Sequence, residues 1–133
     1  MHSHVAVPGA PVHLCSRAQA IEAGMLVDCT RIARDVGFHI PVAMTRGVWV
    51  DCVEWTAEDS QRQTHQDQAG RLWDVVWMAH QAARRGGAQA SFDLYRVPRD
   101  GRAVAPQLVT LSLVCGPGDH GEPVITILQL GED

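Results

Sequence analysis

The chain has 133 residues, of which 46% are hydrophobic and 20% are charged, and its formal net charge is −4. This length fits one domain with a single hydrophobic core, and no apolar run reaches the ~18 residues of a transmembrane helix. All 11 basic residues are arginine, which excludes lysine Schiff-base chemistry and a lysine-bearing phosphate loop. The acidic balance also argues against a dedicated nucleic-acid-binding protein, which would be clearly basic.

The first segment of the chain, MHSHVAVPGAPV, lacks the basic start and the apolar core of a secretion signal. We therefore expect residues 1–12 to form a flexible tail, residues 13–133 to form a single domain, and the protein to be cytoplasmic. The cysteines are widely spaced and form no paired zinc-binding motif, so we expect reduced thiols, no metal and no other cofactor. These cysteines are Cys15, Cys29, Cys52 and Cys115.

Short helices are predicted in the N-terminal half. A capping box at Ser16 begins the first helix, and Thr30 and Thr45 have the side chains that cap a second and a third. Residues 25–29 and 41–44 lie between these helices and are expected to be extended. The N-terminal half is therefore predicted to be mainly helical.

One long helix is predicted in the middle of the chain, over residues 71–85, after an exposed polar loop at residues 60–70. Four apolar residues at helical spacing form its buried face: Leu72, Val75, Val76 and Ala79. Trp73 and Trp77 form a second apolar stripe on the same helix. Two interpretations of this stripe stay open: the helix is covered on both sides, or the tryptophans anchor a partner protein.

Three strands are predicted at residues 92–97, 108–115 and 124–130, and they are expected to form an antiparallel meander. The predicted fold class is α+β, with short N-terminal helices and one long central helix packed on this C-terminal three-stranded meander. The segment CGPGDHGEP joins the last two strands. A phosphate loop would lead into a helix, whereas this segment leads into a strand, so we expect a turn built on Pro117, Gly118 and Gly121.

Charged residues are unevenly distributed along the chain, with an arginine-rich segment at residues 61–107 between two acidic ones. The acidic candidates for partner contacts are Asp51, Glu54, Glu58, Asp59, Asp119 and Glu122. The candidates for nucleic-acid contacts, as the alternative, are Arg84, Arg85, Arg96, Arg99 and Arg102. No serine lies in a nucleophile-elbow motif, and no catalytic residue is assigned.

Several blocks of the chain resemble a bacterial domain family of unknown function that is carried on plasmids, phages and other mobile elements. The blocks are SRAQAIEAGMLVDCT, PVAMTRGVWVDCVEW, GRLWDVVWM, RVPRDGR and VTLSLVCGPGDHGEPVITI. The resemblance implies an accessory protein that blocks host defence. We expect a non-enzymatic anti-CRISPR protein that binds and sterically blocks a bacterial immune complex, with a Cas effector subunit as its partner.

Two alternatives to this function stay open. One is a small nucleotide-dependent enzyme, similar to ADP-ribosyltransferases, that modifies a component of the defence system. The other is a DNA-binding accessory factor of plasmid maintenance, which would use the arginine-rich segment.

Overall fold

The computed structural model describes residues 15–132, so the tail expected at residues 1–12 lies outside the described residues. The helices are α1 (Arg17–Glu22), α2 (Thr30–Val36), α3 (Arg46–Val48), α4 (Ala57–Arg62) and α5 (Gln68–Ala83). The strands are β1 (Leu26–Asp28), β2 (Val42–Thr45), β3 (Gln89–Arg96), β4 (Gln107–Pro117) and β5 (Pro123–Gln129). Within residues 15–132, no helix is long and apolar enough to cross a membrane.

The strands form one five-stranded mixed sheet in the order β1-β2-β5-β4-β3. β2 and β5 run parallel, whereas the other neighbouring strands are antiparallel. The predicted α+β class is confirmed, but the three-stranded meander is wrong as a description of the sheet. The extended segments near residues 26 and 43 become β1 and β2, which extend the sheet beyond β5.

The hydrophobic core lies between one face of the sheet and the helices, above all α5. Val75, Val76 and Ala79 of α5 are fully buried against the sheet, as the helical spacing predicts. Leu111 and Ile127 supply the fully buried side chains of the two neighbouring strands. We call this the inner face of the sheet and the opposite one the outer face.

Side-chain caps fix where several helices begin. Ser16 forms the predicted capping box of α1, and Thr45 accepts a hydrogen bond from the Val48 amide at the start of α3. α3 continues into a π-helical turn, Trp49–Val53. The exposed loop predicted at residues 60–70 is shorter than expected, because α4 occupies its first part and α5 its last, which leaves residues 63–67 as loop. Every side chain of α4 is at least partly exposed, so its sequence carries no apolar periodicity.

The outer face of the sheet is only partly covered by helix. Arg17 of α1 lies over it, donating to the Thr126 Oγ1 at 2.8 Å and to the Ile125 carbonyl oxygen at 2.7 Å. Thr126 alternates with the core residues of β5, so its side chain belongs to the outer face. Within residues 15–132, α1 therefore covers the β1–β2–β5 half, and no helix covers the β4–β3 half.

Candidate interaction surfaces

The acidic and basic candidates meet one another in the fold. The Arg96 guanidinium donates to both carboxylate oxygens of Asp51, at 3.0 and 3.1 Å. Arg99 contacts Asp59 at 2.7 Å through Nε and Glu54 at 3.1 Å through Nη1. These ion pairs join the π-helical turn and α4 to the end of β3 and the loop that follows. Three of the six acidic candidates thus pair with two of the five arginines that were predicted to form a separate surface.

Hydrogen bonds at these ion pairs shift the pKa values of the charged groups. The bond to Asp59 raises the pKa of Arg99 above its ordinary value. Burial alone would raise the pKa of Asp59, but hydrogen bonds from Arg99 and Thr56 hold it below its usual range. Both groups are therefore stabilised in their charged forms by contacts inside the protein.

Asp119 caps α1 from the β4–β5 connection. Its two carboxylate oxygens accept hydrogen bonds from the backbone amides of Arg17, at 2.7 Å, and Ala18, at 3.0 Å. These two bonds lower the pKa of Asp119 below its ordinary value. The carboxylate therefore ties the last hairpin to the first helix.

Glu122 belongs to the turn that CGPGDHGEP forms. Its Oε1 accepts from the His120 amide at 2.8 Å, and the Gly121 amide donates to the Gly118 carbonyl at 3.1 Å. The turn that is expected at Pro117 and Gly118 forms two residues later, with Asp119 and His120 at its centre. Gly118 lies outside the positive-φ region that a type II turn needs. Gly121 does adopt a positive φ of 82°. The segment is a glycine-shaped turn, as predicted.

The remaining charged candidates do not form one patch. Glu58 lies 3.9 Å from Arg62 on α4, and both side chains are largely exposed. Arg84 and Arg85 follow α5 and precede β3, whereas Arg102 lies beyond the other end of that strand. β3 therefore separates the predicted nucleic-acid residues into two groups.

Trp73 and Trp77 lie one turn apart on the side of α5 that points away from the core. Their exposed fractions are 38% and 44%, so the interpretation in which α5 is covered on both sides is wrong. Two large indole surfaces therefore face solvent on the longest helix of the described chain. We call Trp73 and Trp77 the α5 tryptophan pair.

A groove of about 290 Å³ lies between α2 and α5. Its apolar lining comes from Cys29, Ile32 and Leu72, the last of which directly precedes Trp73, and its charged rim from Asp28, Arg31 and Asp35. Burial raises the pKa of the Cys29 thiol to about 12, so at neutral pH this cysteine is an apolar wall rather than a nucleophile. No group of three or more metal-ligating side chains occurs within the described residues.

Two features were not predicted from the sequence. Arg71 is buried, with an exposed fraction of 5%, and it hydrogen-bonds to carbonyl oxygens of two different segments. Tyr95, Leu108 and Leu130 are exposed beside the open half of the outer face. The exposure of Tyr95 and Leu108 is predictable from the alternation of side chains along a strand. Both residues are out of phase with the buried residues of β3 and β4 and therefore point to the outer face.

A five-stranded mixed sheet with its main helix on one face and an open half on the other defines a small α+β protein. The family of unknown function DUF6573 has a model that matches residues 7–133, and the chain belongs to this family. The expectation of a family of unknown function is thereby confirmed. Neither the curated proteins nor the solved structures contain a match to the chain.

Proposed function

We propose that the protein acts by binding, as an anti-defence protein that docks onto a bacterial immune complex and blocks it sterically. A Cas effector subunit is the proposed partner, and a mobile element is the proposed genetic setting. Both rest on the resemblance of the sequence blocks described above. The observation that carries a binding function is the exposed α5 tryptophan pair.

Exposed tryptophans are an efficient source of binding energy. Each indole of the pair leaves about 100 Å² in solvent, since a tryptophan side chain offers up to about 250 Å². Covering both would contribute roughly 5 kcal/mol at about 25 cal/mol per Å². Residues of this type dominate the energetics of protein interfaces when they lie at the centre of a contact.

α5 carries the tryptophan pair and also contributes Leu72 to the groove between α2 and α5. Its apolar lining suits an aliphatic side chain from the partner, and Asp28 and Asp35 on its rim suit a basic one. A contact centred on Trp73 and extending into the groove would cover a continuous part of the molecule. We therefore place the centre of the interface on α5 rather than on the acidic residues.

The acidic candidates are less suitable as the centre of the interface, because most of them are already engaged in contacts inside the protein. Asp51, Glu54 and Asp59 pair with arginines, and Asp119 caps a helix. Reversing these charges would break internal contacts, so a loss of binding in such variants would not identify an interface. Substitutions on the exposed side of α5 avoid this difficulty.

The test is a plasmid-interference assay in bacteria that carry a panel of CRISPR systems. We expect the wild-type protein to protect the plasmid against at least one system, and the W73A/W77A double variant to lose this protection. Tyr95→Ala is the matched control, because it removes an exposed aromatic side chain from the outer face instead. Circular dichroism of the purified variants verifies that both are folded.

The purified effector of an inhibited system then separates binding from modification. We expect a stoichiometric complex in size-exclusion chromatography, with the mass of every effector subunit unchanged. A nucleotide-dependent mass increase on a subunit would favour the transferase alternative. Failure to protect against any system, or equal protection by W73A/W77A, would contradict the proposal.

A further inference from the structure

β3 lies at the edge of the sheet, with β4 as its one partner strand in the described part of the chain. The Cys115 amide donates to the Ala88 carbonyl at 2.8 Å, which places this residue pair among those that exchange hydrogen bonds. In an antiparallel ladder such pairs alternate with pairs whose backbone groups point away. The backbone groups that point to the free edge are therefore those of Gln89, Ser91, Asp93 and Tyr95.

Most of these outward groups are available for pairing. Of the hydrogen bonds within residues 15–132, one reaches them from outside the ladder: Arg85 Nη2 donates to the Ser91 carbonyl at 2.7 Å. Arg85 is an exposed side chain, so water can replace this contact when the arginine moves away. An unpaired edge strand of eight residues is a template for another strand.

We propose that β3 pairs antiparallel with β3 of a second copy of this chain, joining the two sheets into one of ten strands. A register centred on Phe92 places Ser91 opposite Asp93 of the second copy, and Gln89 opposite Tyr95. All four outward residues of each copy are then paired, and each pair exchanges two hydrogen bonds. The interface is self-complementary, as a two-fold dimer requires.

Charge selects this register over its neighbours. A shift of two residues in one direction places Asp93 opposite Asp93 of the second copy, where like charges repel. The opposite shift leaves Tyr95 without a partner residue in β3. In the proposed register Asp93 faces a serine hydroxyl group, which can donate a hydrogen bond to it. A second copy of this strand is therefore a better partner than an arbitrary extended segment.

The outer faces of the two copies become continuous in this dimer. Tyr95 of one copy lies beside Gln89 of the other, which covers part of an aromatic ring that is 69% exposed in the single chain. α5 and the tryptophan pair stay on the inner side, so the dimer presents two copies of that surface. The dimer and the proposed function are therefore independent, and either can fail alone.

Sedimentation velocity of the full chain between about 5 and 500 μM tests the pairing, because small interfaces of this kind give weak dimers. We expect a monomer–dimer equilibrium in which Asp93→Pro leaves only monomer. A proline at this position removes an outward amide and keeps every backbone hydrogen bond to β4. Asp93→Asn retains the amide, and Thr110→Val removes the hydroxyl that donates to Asp93. Both controls should dimerise like the wild type.

Arg85→Ala gives the opposite change, because it removes the side chain that competes for the Ser91 carbonyl. We expect dimerisation to become about 25-fold tighter, because one competing hydrogen bond, worth about fivefold, is removed in each of the two copies. A wild-type chain that stays monomeric at the highest concentration would overturn the proposal. So would a dimer that Asp93→Pro leaves intact while the variant has a native circular dichroism spectrum.

Hydrogen exchange of the wild-type protein provides a test without any substitution. The amides of Ser91, Asp93 and Tyr95 should become protected as the protein concentration rises. The amides of Phe92 and Leu94 already bond to β4 and should be protected at every concentration. Equal concentration dependence of the two sets, or none in the outward set, would contradict pairing through this edge.

Discussion

Replacing Arg71 with methionine should destabilise the protein strongly, although no ion pair is lost. The guanidinium donates to the Val53 carbonyl at 3.0 Å, to the Val97 carbonyl at 3.0 Å and to Gln66 Oε1 at 3.1 Å. It also lies 4.6 Å from the centre of the Trp55 ring. Arg71 therefore connects the end of the π-helical turn, the end of β3 and the start of α5.

The size of the destabilisation follows from the hydrogen-bonding groups that Arg71→Met leaves without a partner. Methionine leaves two buried carbonyl oxygens without a donor, at about 1–3 kcal/mol each, and removes a cation–π contact of about 1 kcal/mol. Burial lowers the pKa of Arg71, which shows that desolvation opposes the charged form. Relief of this cost offsets part of the loss, so we expect a net destabilisation of about 3 kcal/mol. Arg71→Ala should cost about 5 kcal/mol, because it also leaves a cavity.

The assay is equilibrium unfolding in urea, followed by far-ultraviolet circular dichroism because Trp55 fluorescence would report the substitution itself. Arg62→Met is the control, since Arg62 lies on α4 with a side chain that is 63% exposed. It should change the free energy of unfolding by less than about 0.5 kcal/mol. If Arg71→Met and Arg62→Met are equally stable, Arg71 does not join these segments energetically.

Two further predictions concern a glycine and a carboxylate. Gly37→Ala should lower the free energy of unfolding by more than about 1 kcal/mol, because Gly37 has a φ of 134° and an added Cβ would lie 2.9 Å from His80 Cε1. Gly24→Ala shares the positive φ without a neighbour within 4 Å, so an equal loss in a urea titration would argue against the His80 contact. Asp119→Ala should lower the thermal midpoint most at neutral pH. The folded-state pKa of Asp119 lies below its ordinary 3.8, so the stabilisation that its carboxylate provides is lost as the pH falls through that folded-state value. A difference from the wild type that stays constant down to about pH 2.5 would contradict this linkage.

Local signals in the sequence predict several local parts of this fold, although the cap predicted at Thr30 is wrong, because Cys29 is the N-cap of α2 and makes no side-chain capping bond. The capping residues Ser16 and Thr45 act through bonds to amides three residues away, so their roles are visible in a short window. The alternation in β4 is visible for the same reason. β1 and β2 are only three and four residues long, and they join the sheet through pairing with each other and with β5. No window of the sequence contains that information.

The charged surface could not be predicted from the sequence for the same reason, because its contacts join residues that are distant along the chain. Asp51 and Arg96 are 45 positions apart, so their separation along the chain conceals a contact of 3.0 Å. Counting charges by segment therefore predicts two patches where the fold forms ion pairs. Helical periodicity identifies Trp73 as part of a second apolar stripe without showing what covers that stripe, so the sequence alone leaves its exposure open.

The central strand of the sheet is also the one synthesised after all the others. The β1–β2 and β3–β4 pairs each contact β5 and do not contact each other within the sheet. A nascent chain that stops before Pro123 therefore holds two separate strand pairs, each with an unsatisfied edge facing the place that β5 will fill. The sheet is therefore complete only once β5 is present, and until then both edges offer unpaired backbone groups to other strands.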